Sequence, residues 1–163
     1  GFSGPSVASG RVFITDFQTV RPANGPPSGP EMNQRRASGL EGKERAVALD
    51  EKTGKILWTY EWAADYTGTM QSYAIGPRAT PTVDGDRVYI QGTMGALLCL
   101  NAATGAVIWQ KDYVKEFGLK IPVWGMSAAP LVDGPRVIVV AAVRVTQKSS
   151  RSKRRPARSF GNR

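Results

Sequence analysis

The side chains able to do chemistry are few in this chain, and they are scattered. Its 163 residues include no histidine. That excludes an imidazole base, a histidine-dependent nucleophile triad and imidazole metal ligation. Cys99 is the single cysteine. It falls in the apolar run Ala96-Leu97-Leu98-Cys99-Leu100, where a core thiol is expected and a nucleophile is not. One cysteine leaves no internal disulfide, so packing must hold the fold. Asp65, Asp84, Asp86, Asp112, Glu116 and Asp133 stand apart in the sequence and open no calcium loop. Val83-Asp84-Gly85-Asp86 reads as a turn. The glycines are interrupted by strand-like runs and form no phosphate loop. Tyr60, Trp62, Tyr66, Tyr73, Tyr113 and Trp124 are the aromatics from which a sugar or quinone surface would be built, with core packing as the ordinary alternative. No catalytic, cofactor-binding or metal-binding residue is assigned.

What the chain does carry is repetition. Ala48-Leu49-Asp50-Glu51-Lys52-Thr53-Gly54-Lys55-Ile56-Leu57-Trp58 recurs 51 positions later as Cys99-Leu100-Asn101-Ala102-Ala103-Thr104-Gly105-Ala106-Val107-Ile108-Trp109. A second motif, Ala79-Thr80-Pro81-Thr82-Val83-Asp84-Gly85-Asp86-Arg87-Val88-Tyr89-Ile90, recurs 49 positions later from Ala128 to Val139. Pro5-Ser6-Val7-Ala8-Ser9-Gly10-Arg11-Val12-Phe13-Ile14 is a fainter first copy. A period near 50 residues with several short strands per unit is the signature of a β-propeller blade.

Each unit can be read physically. Asp84-Gly85 turns between Arg78–Val83 and the β-branched and aromatic run Arg87–Gln91. Met94-Gly95 turns into Ala96–Leu100, whose unbroken apolarity suits a strand covered on both faces. Asp50 and Asn101 are placed to bond backbone amides further round their turns, with Thr53 and Thr104 following. Gly54 and Gly105 supply a left-handed residue there. Trp58 and Trp109 then sit on the last strand, where a large flat ring can cover the join to the next blade.

These residues resemble a known family. Ala48-x-Asp50-x-x-Thr53-Gly54-Lys55-x-x-Trp58 is similar to the tryptophan-docking motif of pyrroloquinoline-quinone-type propeller repeats. The second copy departs at Cys99, Asn101 and Ala106 and keeps Thr104, Gly105 and Trp109. The resemblance runs from about Pro5 to Val143. It implies that Asp50, Thr53, Gly54, Trp58, Asn101, Thr104, Gly105 and Trp109 are structural, each Trp lying on the Gly peptide of a neighbouring motif. Gly76–Pro81 and Val123–Pro130 also resemble bacterial secreted or periplasmic polyvinyl-alcohol-dehydrogenase-like proteins. Periplasmic or secreted localisation is what these resemblances imply; the sequence shows neither a signal peptide nor an apolar run near the roughly 20 residues of a membrane span.

The expected fold is all-β: an incomplete β-propeller of four-stranded antiparallel blades, about two and a half of them, over residues 1–143. A Pro- and Gly-rich insertion is expected from about 19 to 42, re-entering the sheet at Arg45. Residues 144–163 read as a disordered basic tail that interrupts the third blade. Both ends are those expected of an excerpt of a longer propeller, or of a reading frame broken after Val143. The open wedge would leave Val137–Val143 as an unpaired apolar edge, so self-association is expected.

Two function classes follow. One is a non-catalytic propeller serving as scaffold or binding module of an exported bacterial protein, as in outer-membrane-assembly lipoproteins that share the repeat; its partners are another protein or further blades. The alternative is a fragment of a quinone-dependent alcohol-dehydrogenase-like oxidoreductase. The dehydrogenases resembled hold their quinone near a vicinal Cys-Cys pair, with calcium on carboxylates. This chain has no such pair, so quinone and calcium are expected only if further blades supply their site. A lesser reading is non-specific polyanion binding by the tail, through Arg151, Lys153, Arg154, Arg155 and Arg158. The chain carries net charge +9, and eight cations with no acid lie in residues 144–163. Any nucleic-acid binding should therefore be sequence-independent and fall steeply with salt. Deleting residues 144–163 is expected to abolish it in a filter-binding titration; undiminished binding by the shortened chain would place the contact elsewhere.

Overall fold

A computed structural model describes residues 3–19, 40–69 and 75–141. Strands β1 (Ser6–Ala8), β2 (Arg11–Thr19), β3 (Glu41–Asp50) and β4 (Ile56–Asp65) form one antiparallel meander. β5 (Thr82–Asp84), β6 (Arg87–Gln91), β7 (Ala96–Asn101) and β8 (Val107–Asp112) form a second. β9 (Leu131–Asp133) and β10 (Arg136–Ile138) make a hairpin equivalent to the start of a third. Within each four-stranded sheet every neighbour in space is a neighbour in sequence. β1, β5 and β9 lie side by side as the successive first strands.

The sheets stack face to face, and the alternation of side chains decides which residue meets which neighbour. Phe13, Ala46, Ala48 and Trp58 from the first sheet meet Val88, Ile90, Leu98 and Leu100 from the second. Tyr89 and Cys99 point the other way, against Val137 of the third unit. The middle sheet is therefore covered on both sides. That explains why Val88–Gln91 and Leu97–Leu100 are buried without interruption. β4, by contrast, alternates between buried and exposed positions. Cys99 is fully buried in this second layer, and burial pushes its thiol pKa up.

Hydroxyls stitch the first strands together in register with the repeat. Ser6 donates its hydroxyl to the Pro81 carbonyl of the second unit, and Thr82 donates to the Pro130 carbonyl of the third at 2.5 Å. The third copy has Leu131 at this position, and it is exposed.

The two motif turns close in the same way. In the first, Gly54 N–H reaches Asp50 O at 2.8 Å, and Asp50 Oδ1 accepts from Thr53 N–H at 2.8 Å and Thr53 Oγ1 at 2.7 Å. In the second, Gly105 N–H reaches Asn101 O at 2.8 Å, and Asn101 Oδ1 accepts from Thr104 N–H at 3.0 Å and Thr104 Oγ1 at 3.1 Å. Gly54 and Gly105 have φ of 69° and 74°.

Two expectations need correction. β3 begins at Glu41 and Thr19 pairs with Gly42, so the first sheet extends further than a re-entry at Arg45 allowed. Gly42 makes this possible: a Cβ there would sit 2.5 Å from the Phe17 ring, so only glycine lets the strand pass the aromatic. The strand expected over Val137–Val143 ends at Ile138. Its apolar continuation Val139 and Ala141 packs side chains against the second unit without pairing as strand, and residues 142 and 143 lie outside the described residues. Asp112 has a role the sequence did not show. It caps a one-turn helix, α1 (Tyr113–Phe117), accepting from Val114 and Lys115 N–H.

The Thr53 bonds hold the Asp50 carboxyl below its ordinary pKa, the side-chain hydroxyl contributing most. A pKa lowered by folding gives stability that is present above the unfolded carboxylate value and is lost as pH falls through the folded one. Asn101 makes the same turn with no titrating group. Asp50→Asn is therefore expected to fold at neutral pH with little loss and to show a shallower decline in denaturation midpoint below about pH 4. An unchanged acid slope would mean that the turn carboxylate does not contribute.

Candidate functional site

The chemistry-bearing residues gather at opposite ends of the sheets. The motif turns after β3 and β7 lie at one end. The β6–β7 turn and the connections that follow β4 and β8 lie at the other.

At the first end, Trp58 lies flat on the second unit. A Cβ at Gly105 would fall 2.7 Å from Trp58 Cδ2 and Cε3, so the ring rests directly on that peptide. Its Nε1 donates to Ala102 O at 3.0 Å. Phe13 packs against it at a tilt, with ring centroids 6.0 Å apart. What aims the ring is a register shift. β3 and β4 pair Leu49 with Ile56 and then Ala48 with Trp58, leaving Leu57 as an extra residue. Without that bulge Trp58 would oppose Val47 and point away from the second unit. β7 and β8 repeat the device, pairing Leu100 with Val107 and Cys99 with Trp109. Bulges re-aim side chains in this way.

The docking partner expected for Trp109 lies outside the described residues. Trp109 is half-buried, against Tyr89 at 6.1 Å, and its Nε1 has no acceptor among the described residues. The position that would correspond to Ala102 in a third motif falls in the undescribed segment. So do Arg151, Lys153, Arg154, Arg155 and Arg158. The structure thus joins Trp58, Gly105 and, through their turn, Asn101 and Thr104; it holds Asp50, Thr53 and Gly54 together in their own turn.

At the second end lies a group that the sequence did not disclose. Glu44 is completely buried. Its Oε2 accepts from Trp62 Nε1 at 2.8 Å, and its Oε1 from Tyr66 Oη at 2.6 Å and Thr93 N–H at 2.9 Å. Glu44 and Trp62 are direct cross-strand partners. Thr93 belongs to the β6–β7 turn of the second unit. Gly92 lets the carboxylate in, because a Cβ there would lie 2.4 Å from Glu44 Oε2. Burial, and then the neighbouring Glu44 charge, raise the Tyr66 phenol pKa far above its ordinary value, so it remains a donor. The signal available in the sequence was the phase of Glu44, two and four residues before Ala46 and Ala48 on the buried face.

The remaining aromatics divide. Tyr113 is buried, with its Oη 3.3 Å from Gln91 Oε1. Trp124 is 48% exposed on the loop before β9. Tyr73 lies outside the described residues.

Comparison with known proteins bears on this arrangement. A family model described as outer membrane protein assembly factor BamB matches residues 42–155. The chain belongs to that family. Uncharacterized protein RP232 of Rickettsia prowazekii (strain Madrid E) is 32% identical over 68 residues, 40% of this chain and 16% of that protein. Quinohemoprotein alcohol dehydrogenase ADH IIB of Pseudomonas putida is 29% identical over 98 residues, 58% of this chain and 13% of that protein. The solved quinohemoprotein alcohol dehydrogenase of Comamonas testosteroni superposes with a TM-score of 0.56 at 20% identity, over 85% of this chain and 17% of that one. The chain thus corresponds to under a fifth of the length of each. The architecture is that of the β-propeller: two four-stranded blades and the first hairpin of a third among the described residues.

Substitution at the two motif glycines separates backbone strain from contact. Gly54→Ala meets open space and should cost about 1–2 kcal/mol for its positive φ alone. Gly105→Ala must also displace the indole and should cost distinctly more, while Trp58→Ala should cost about 3–5 kcal/mol. Chemical denaturation of the three variants checks the order; equal losses at Gly54 and Gly105 would remove the indole from the account.

Proposed function

We propose that this chain is part of a non-catalytic propeller, a scaffold or binding module of an exported bacterial protein, located in the periplasm or secreted. The observation that carries the reading is what Glu44 does. It is the one charged side chain buried among the described residues, and both its oxygens are engaged by protein donors from two blades. A carboxylate buried and held by three donors from two blades braces their junction. Trp58 acts likewise at the other end, docking its ring on the next blade. Membership of a family described by its role in assembly supports a protein partner. No helix among the described residues is long and apolar enough to cross a membrane.

The identity with a quinohemoprotein alcohol dehydrogenase favours a second reading, a portion of a quinone-dependent oxidoreductase. The described residues do not fit a quinone with its calcium. The buried carboxylate is held by three protein donors, Cys99 is alone between two sheets, and no group of three or more His, Cys, Asp or Glu side chains converges among the described residues. Isothermal titration of the full chain with pyrroloquinoline quinone and Ca²⁺ is expected to give no saturable heat. A stoichiometric micromolar complex, with alcohol oxidation on adding an electron acceptor, would put the oxidoreductase reading first.

A further inference from the structure

Thr93 is 1% exposed and touches three separate parts of the chain. Its N–H binds Glu44 Oε1 of the first blade at 2.9 Å. Its hydroxyl donates to Gly76 O at 3.2 Å, in the connection between the first and second blades. Its carbonyl accepts from Met126 N–H at 2.9 Å, in the connection between the second blade and the third unit. Gly125 closes on it as well: a Cβ there would lie 2.1 Å from Thr93 Cγ2. Gly76 and Gly125 are equivalent by the 49-residue repeat, and both have positive φ, 121° and 73°. One residue therefore holds the same point of two successive inter-blade loops.

We propose that Glu44 and Thr93 are a positioning pair that couples the first blade to the surface loop carrying Trp124, two residues before Met126. Glu44 fixes the height of the β6–β7 turn through the Thr93 N–H. Thr93 then fixes the loop through its carbonyl and methyl group. The loop has little freedom left, because Gly125 N–H also closes a tight turn on Pro122 O at 2.8 Å. A buried carboxylate on one blade in this way sets where a half-exposed indole in the connection that follows the next blade stands. The coupling needs no contact between Glu44 and Trp124. It needs a packed turn that moves as one piece.

Fluorine NMR of the full chain labelled with 5-fluorotryptophan tests this, since the chain has four tryptophans. Single Trp→Phe variants assign the signals. Glu44→Met removes the acceptor of Trp62, Tyr66 and Thr93 together while keeping the bulk of the side chain, so the Trp62 signal is expected to move. The proposal expects the Trp124 signal to move or broaden as well, with Trp58, at the opposite end, unchanged as the control for folding. Thr93→Ser keeps the backbone and hydroxyl bonds and removes only the methyl group against Gly125. It is expected to move Trp124 and leave Trp62 in place. A Trp124 signal indifferent to Glu44→Met while Trp62 responds would overturn the coupling. Should Glu44→Met fail to fold, Thr93→Ser decides alone, and an unmoved Trp124 signal there would overturn it equally.

Discussion

Coverage on both faces is the constraint from which the rest follows. A four-stranded sheet of this length cannot bury its apolar side chains by itself; it must lie between two others. The middle blade satisfies that condition within the described residues, and its two central strands are buried from Val88 to Gln91 and from Leu97 to Leu100. Once each face is committed to a different neighbour, every side chain has an address. Val88 and Ile90 belong to the join before the blade, Tyr89 and Cys99 to the join after it. The polar devices then lock what packing has arranged. Trp58 on Gly105 secures one end of a join, and Glu44 on Thr93 secures the other. The buried carboxylate is tolerated because three donors replace the water it lost.

The repeat made the blade order legible, because the same backbone problem was solved twice with the same residue types. The turns after β3 and β7 are the clearest case. Asp or Asn, then Thr, then Gly are each required by the turn itself, so their spacing survives in the sequence. The unbroken apolar run of β7 was legible for the same reason.

What stayed hidden depends on pairs from different blades or on strand register. Glu44 looks like one charge among Lys43, Glu44 and Arg45; its burial becomes visible only when the face it shares with Ala46 and Ala48 is known to be covered, and its partner Thr93 lies 49 residues away. The bulge at Leu57 leaves no mark in composition, since Ile56, Leu57 and Trp58 are all apolar. Helix α1 is five residues long, too short for any periodicity to show. Trp109 differs from Trp58 though the motifs match, because burial belongs to what lies over the ring and not to the ring's own sequence.

The bulge ahead of each tryptophan has a consequence for the whole stack. A plain antiparallel sheet with similar apolar residues on both sides carries no instruction about which side should receive a neighbour's turn. The one extra residue at Leu57, repeated at Ile108, breaks that equivalence by sending the indole to a single side. Each blade thereby acquires a donor face and an acceptor face, and successive blades can add in only one sense. The inserted residue thus adds a direction to the array at the turn end of each join, as Glu44 on Thr93 does at the other. Removing that residue would leave the strands able to pair and would turn the indole away from the blade it docks on.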